Sequence, residues 1–445
     1  MSTLDERLAQ RTSLGTWTFD NRFEYRAGLG RIFNAYGPVI CELCYYITSP
    51  GGTFTLRSTG SVSYEVDWGD GSSETSTSNA LAHTYAAGDY IIRISSAVVY
   101  RPLFNNSGDE DLITEIHTTD IDFGDSLAVA WYGANNMTNF NAAFNVTAGV
   151  TTFNYTWYGC NNLTSFPLID TSSGTTFINT WFGCIGLTSF PLIDVSSGTN
   201  FQSAWEGCNQ LTTLPTLVTS LGQNFSYAWR GCTGLTSFPL INTSSGTNFI
   251  NAWRDCSSLT SFPLIDTSSG TTFSSAWQGC SGLTSFPLID TSSGDSFSST
   301  WRDCTGLTSF PLIDTSSGTS FAGAWQSCTN LTTFPSIDVS SGANFATAWY
   351  NCNKMATFPA NFFDSWTGTP TNGCFNQAWD ICSSLTATSV ENILNSIDTS
   401  GQSAPASGVD ITIDYNAGSG TPSVATAVTN LKSRGWTITL NGVAQ

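Results

Sequence analysis

Thr272-Phe273-Ser274-Ser275-Ala276-Trp277-Gln278-Gly279-Cys280-Ser281-Gly282-Leu283-Thr284-Ser285-Phe286-Pro287 is the stretch that decides the fold, because the chain repeats it. Trp recurs every 24 residues from Trp157 to Trp349, and Cys follows three later, from Cys160 to Cys352. Leu lies three beyond each Cys from Leu163 on, with Met355 in the last place. Phe-Pro runs from 166–167 to 358–359 with Leu214-Pro215 as the variant, and another Phe precedes each Trp by four, from Phe153 to Phe345. A degenerate unit opens the series (Trp131, Ala134, Met137, Phe140) and another closes it (Phe375, Trp379, Cys382, Leu385). A fixed period of this length marks an architecture in which each unit buries its apolar residues against its neighbours. Four or five large apolar side chains per unit give roughly 6–15 kcal/mol of gross gain, at about 1.5–3 kcal/mol each. Ordering the backbone costs about 1–2 kcal/mol per residue. One unit alone fails, whereas an array with backbone ladders between units succeeds.

Within the unit, Leu-Thr-Ser-Phe is the expected strand, stopped by the following Pro, and parallel pairing would add about 4.8 Å per unit. Asp-Thr-Ser-Ser-Gly (170–174, 266–270, 290–294, 314–318) reads as the opposite turn. There Asp, Ser and Thr bond their own backbone and Gly supplies a positive φ. Positions that vary between units are expected to face outward. The one after each Trp reads Tyr158, Phe182, Glu206, Arg230, Arg254, Gln278, Arg302, Gln326, Tyr350, and this column is the candidate recognition face.

On either side of the repeat the text changes. Residues 52–99 read as alternating strands around Val66-Asp67-Trp68-Gly69-Asp70-Gly71-Ser72, a strand entering an Asp-Gly hairpin turn, with His83-Thr84-Tyr85 and Gly88-Asp89-Tyr90 further on. After the repeat, Ser389–Ile397 reads as a helix and Asp410–Tyr415 as a strand. Thr421-Pro422 is expected to cap a helix running to Arg434, Gly435 to stop it, and Trp436–Leu440 to form a closing strand. Such a unit would cover the last open edge.

The Phe, Trp, Cys, Leu and Phe-Pro spacing over about 112–386 resembles the BspA-like leucine-rich repeats of bacterial surface proteins and phage structural proteins, with Trp in the usual Phe place. Residues 52–99 are similar to a polycystic-kidney-disease (PKD) domain, an immunoglobulin-like sandwich marked by Trp-Gly-Asp-Gly (68–71) and His-Thr-Tyr (83–85). The tail, with Ser389-Val390-Glu391-Asn392-Ile393-Leu394 and Gly435-Trp436-Thr437-Ile438, resembles the ends of bacteriophage repeat proteins. Together these imply a mainly β chain: a leucine-rich-repeat-like solenoid of 24-residue coils at 105–386, preceded by a PKD/Ig-like β-sandwich at 49–104 and closed by an α/β cap at 387–445. Residues 1–48 form the expected attachment segment.

Composition narrows the function. The chain is 40% hydrophobic and 13% aromatic, enough for a core, yet only 11% charged against about 25% in an ordinary soluble domain. Its surface is therefore covered by Ser, Thr, Asn and Gly, as in secreted, cell-surface and virion proteins. A net charge of -19 and no basic cluster disfavour nucleic acid and anionic membranes. Met1–Arg7 shows no basic region leading into an apolar run, so no secretory signal is expected, and no apolar stretch is long enough to span a membrane. Release by lysis inside a virus particle reconciles a surface composition with the missing signal; a trimmed signal is the other resolution.

The chemical candidates are few. The cysteine column reads either as buried free thiols or as pairs between adjacent coils, which would distort a uniform stack. Cys41-x-x-Cys44 reads as structural, with half a zinc site or a redox pair as alternatives. The Asp column (170, 194, 266, 290, 314, 338) reads as turn capping, and Asp266, Asp290 and Asp314 are the candidates for calcium. Val218 and Asn242 break that column. His83 and His117 stand in no catalytic or metal spacing. Asp255 and Asp303, with Glu206, are irregular carboxylates, but a glycosidase needs two about 5–10 Å apart and these lie 24 or 48 residues distant. The expectation is a non-enzymatic virion fibre, appendage or decoration protein without cofactors. It would attach to other virion proteins through residues 1–48, form homo-oligomers, and bind a host surface protein or glycan. A bacterial cell-surface adhesin is the alternative, and a polysaccharide depolymerase the third reading.

Overall fold

A computed structural model describes residues 42–104, 108–405 and 409–445, so most of the expected attachment segment, Cys41 included, lies outside the described residues. Regular secondary structure is mostly strand, with few helices. The apolar run after Glu42 forms β1 (Leu43–Arg57), paired antiparallel along its length with β4 (Ala80–Ser95). β2 (Tyr64–Asp67) and β3 (Ser73–Ser76) are the hairpin around the Asp-Gly turn. In that turn Asp67 Oδ1 accepts from Gly69 N (2.9 Å) and Asp70 Oδ1 from Ser72 N (2.9 Å). Gly69 is required there: its φ is +77° and a Cβ would strike the Ile91 backbone.

This region differs from the two-sheet sandwich expected at 49–104. Hydrogen bonds join its strands, together with β5 (Ile113–Thr118) and β6 (Asn139–Ala142), into one six-stranded sheet, order β3-β2-β4-β1-β5-β6, which starts at Leu43 and passes beyond residue 104. β5 is antiparallel to β1, and β6 is parallel to β5. β6 carries Phe140 of the degenerate first unit, so the sheet's edge continues directly into the repeat. An open edge is a pairing site, and the repeat occupies it.

From Trp131 to Trp379 the indoles form one buried ladder, successive ring centroids 5.1–6.1 Å apart. The Phe four before each Trp forms a second ladder, as in Phe153–Phe177 (5.3 Å, 2°), and the Phe before Pro a third, perpendicular to the indoles, as in Trp157–Phe166 (4.8 Å, 83°). Each unit donates backbone N–H groups to the next: Phe153 to Thr176, Tyr155 to Ile178, Trp157 to Thr180 and Gly159 to Phe182 (2.7–3.0 Å). The buried thiols also bond between units, Cys184 Sγ donating to the Trp157 carbonyl (3.1 Å) and its equivalents likewise to Cys382. All eleven described cysteines from Cys160 to Cys382 are free, so adjacent units are not cross-linked. Burial pushes their pKa values up, for Cys208 to about 12.

Two expectations inside the unit need correction. The regular parallel bridges fall at the residue before the first Phe (Thr152↔Thr176↔Asn200 and onward), not in Leu-Thr-Ser-Phe, where only Ser189↔Thr213 and Thr333↔Thr357 bridge. Pro, two residues after Ser, has no N–H with which to extend a ladder there. The glycine of the Asp-Thr-Ser-Ser-Gly turn does not serve a positive φ either. At Gly174 a Cβ would collide with the Phe177 and Phe153 rings, so glycine is there to let the aromatic ladder close.

At the C-terminal end, α1 (Ala387–Thr399) is capped by Thr386, whose side chain accepts from Ser389 N. Ser389 Oγ donates to Ala356 O and Asn392 Nδ2 to Phe358 O (both 2.9 Å), which seats α1 on the last units. α2 (Ala425–Ser433) begins later than expected and takes no side-chain cap from Thr421-Pro422. β7 (Val409–Ile413) and β8 (Trp436–Leu440) are parallel, with β9 (Val443–Ala444) antiparallel to β8. The bridge Trp379↔Ile413 joins this sheet to the last unit.

Candidate recognition face

The residue after each Trp lies on the inter-unit backbone ladder, which sets its neighbours: its carbonyl accepts from the preceding unit, as Phe182 O does from Gly159 N. All nine column residues, Tyr158, Phe182, Glu206, Arg230, Arg254, Gln278, Arg302, Gln326 and Tyr350, are half-buried rather than fully exposed. They nevertheless form one continuous line with three different characters. At its start Tyr132, Tyr158 and Phe182 stack face to face, 4.4 and 4.5 Å apart and within 2° of parallel. Burial, and then the neighbouring Tyr132, raise the Tyr158 pKa. Next, Glu206 and Arg230 pair across adjacent units (3.3 Å), and the Arg230 guanidinium lies 5.6 Å from the Tyr227 ring centre. Beyond them Arg254 and Arg302 each turn to the carboxylate that follows in sequence, Asp255 and Asp303, with Nε–Oδ2 of 3.3 Å in both. Asp255 and Asp303 adopt left-handed backbone (φ 61° and 59°) where most units have Gly.

The remaining candidates have local duties. Asp266, Asp290 and Asp314 each accept from the N–H and the hydroxyl of the Ser two residues on, 2.6–3.1 Å. Those bonds, to Ser292 foremost, hold the Asp290 carboxyl below its usual range. The calcium candidates thus serve as turn caps, and among the described residues no group of three or more His, Cys, Asp and Glu side chains is placed to hold a metal. His83 stacks on Trp68 (4.6 Å, 11°), its Nε2 2.7 Å from Asp70 Oδ2, and Ser72 and His83 together hold Asp70 down at about 2. His117 Nε2 lies 3.0 Å from Glu115. Cys44 is buried in β1 and disulfide-bonded; Cys41 lies outside the described residues.

Sequence reasoning missed two features of this surface. Tyr132 extends the aromatic stack from the degenerate first unit, and its place after Trp131 was the available signal. The residue after Phe-Pro is also an exposed apolar column, with Leu240, Leu264, Leu288 and Leu312 62–63% exposed. Its signal was the invariance of Leu in those four units, which a buried column would equally show. Among the described residues no helix is long and apolar enough to cross a membrane. Comparison with protein-family models, curated proteins and solved structures found no match for this chain.

Proposed function

We propose that the chain is a non-catalytic display protein of a bacteriophage virion, a fibre, appendage or decoration protein whose repeat presents a recognition line to the host surface. The observation carrying this reading is the contrast within one unit: the Trp, Phe and Cys columns are nearly invariant, whereas the column after Trp changes along a single line from stacked aromatics to ion pairs, with Gln interleaved between Arg254 and Tyr350. Packing needs the first kind of column and leaves the second free, so sequence variety there is available for contact with a partner. In this reading the ladders belong to a leucine-rich-repeat-like solenoid, the N-terminal sheet is a spacer, and the C-terminal α/β unit is a cap. A polar, weakly charged surface suits an extracellular particle, and the carboxylates Asp255 and Asp303 serve recognition rather than hydrolysis because each is engaged by its own arginine. The part of residues 1–48 that precedes β1 supplies the attachment to other virion proteins, since Leu43–Arg57 is committed to the sheet.

Immunogold labelling of purified particles and of cell envelopes with antibody to the full chain tests this. Label on particles is the expected result. Label confined to the envelopes of uninfected cells replaces the virion reading with a bacterial adhesin. Release of reducing ends from surface polysaccharide by the purified chain replaces it with a depolymerase.

A further inference from the structure

Over the four units from Trp253 to Trp325 the recognition line has a period the scaffold does not have, and Tyr350-Asn351 ends it. The two residues after Trp read Arg254-Asp255, Gln278-Gly279, Arg302-Asp303 and then Gln326-Ser327, so the chemistry repeats every two units while the ladders beneath repeat every one. Part of this is steric. The Asp255 carboxylate lies over Gly279, where any Cβ would collide with Oδ1, so an Asp favours a small residue in the next unit. Sterics do not reach the Arg/Gln alternation. Arg254, Gln278, Arg302 and Gln326 occupy the same half-buried position, and the last three accept equivalent backbone bonds from Asp255 (2.7 Å), Gly279 (2.8 Å) and Asp303 (2.8 Å). Each Arg instead follows its Asp: Arg254 pairs with Asp255 and Arg302 with Asp303, while Gln stands where the next residue is Gly279 or Ser327, so an exposed ion pair is displayed at every second unit.

The geometry of these pairs describes a ligand that fits them. Two units advance the pattern by about 10 Å at the spacing of parallel backbone ladders, the length of two sugars in an extended glycan. Each Arg–Asp pair, 33–50% exposed, sets a donor fork beside an acceptor, the arrangement that bonds adjacent hydroxyls, and the Gln between offers a donor and an acceptor of its own. Each Arg is neutralised by its Asp, and the chain carries a net charge of -19, which repels a polyanion. We propose that residues 254–327 bind an unbranched neutral glycan lying along the stack, with one two-sugar period for every two units. This rests on the display function proposed above and names its receptor class.

Binding of the full chain to an array of unbranched neutral oligosaccharides, graded from two sugars to eight, tests the proposal. We expect at least one series to bind, with affinity rising in steps of two sugars. The double variant Arg254→Gln/Arg302→Gln, which removes the alternation, should bind about tenfold more weakly. Arg93→Gln, in the N-terminal sheet, should bind as the parent does. An unchanged affinity in the double variant, with an unchanged melting profile, overturns the proposal, and so does the absence of binding to every oligosaccharide. Retention of the chain on bacterial cells separates the two readings. Retention that survives periodate oxidation of the cells and is abolished by protease leaves display standing with a protein receptor, while no retention on any cell removes display as well.

Discussion

Trp68 and Trp253 are both fully buried, yet they are held in opposite ways. Trp68 in the N-terminal sheet has unique partners: its Nε1 donates to Glu74 (3.0 Å), its carbonyl accepts from the Tyr85 hydroxyl (2.9 Å), and His83 stacks on its ring. Trp253 has copies of itself for partners, Trp229 at 5.6 Å and Trp277 at 5.1 Å, with Phe262 perpendicular at 5.0 Å. Its indole N–H has no hydrogen-bond acceptor, nor have its equivalents from Trp157 to Trp379. The nearby perpendicular phenyl face offers at most a weak one. The sheet is specified by particular long-range pairs, the repeat by a period. One lost pair damages the sheet locally, whereas any property of a repeat position is multiplied along the stack.

Alkaline pH should separate the two regions most. Burial raises the pKa of the ladder thiols from an ordinary 9.0, so the folded state keeps protons that the unfolded chain releases above pH 9. Stability is therefore complete below that pH and falls as pH rises, by about 1.4 kcal/mol per pH unit for each thiol. Ten thiols share the column, and the repeat should melt sharply above pH 9. Tyr85 in the sheet is also raised, but from 10.0, so loss there should begin about one unit later. Near-UV circular dichroism followed from pH 8 to pH 11 would show a single simultaneous transition if this contrast is wrong.

Trp253→Ala should cost about 3–5 kcal/mol and, by interrupting the ladder, split denaturant unfolding into two phases. Trp68→Ala should cost a similar amount and leave the repeat's transition intact. A smaller and sharper test uses phenylalanine. Trp68→Phe loses a hydrogen bond to a carboxylate and should cost about 1.5–3 kcal/mol for it, whereas Trp253→Phe loses ring area but no such bond. Equal destabilisation of the two by urea titration would show that the indole N–H groups of the ladder have partners after all. The smallest effect is expected at a turn: Asp290→Ala removes the acceptor for Ser292 and should cost about 0.5–1.5 kcal/mol above the acid range. That difference should vanish as pH falls, because protonation of a carboxyl held below its usual value removes the same contribution in the parent. A parent-to-variant gap that stays constant from pH 7 to pH 2 would place the contribution elsewhere.

Much of this was legible beforehand. The period, the buried columns, the free thiols, the turn-capping role of Asp and the strand Trp436–Leu440 all follow from residue type and spacing, because stacking forces identical residues into contact. Errors came where two physical causes select the same residue. Gly174 is expected to supply a positive φ and serves ring clearance; the exposed Leu288 column has a sequence signal that a buried column would also give. The strand was placed at Leu-Thr-Ser-Phe because apolar ends flanked it, but a nearby Pro withholds the donor a ladder needs.

The sequence by itself determined that this chain is β-rich, that a 24-residue unit fills its middle and which side chains line the interior, since a period needs no knowledge of where the chain turns. Tertiary structure decided what the period brings together. Residues 24 and 48 apart are one and two rungs distant, so Asp255 lies over Gly279, and Glu206 meets Arg230. Separation along the chain had made those carboxylates look remote. Distance across a stack is set by the spacing of its backbone ladders, and only the folded chain shows which residues share a line.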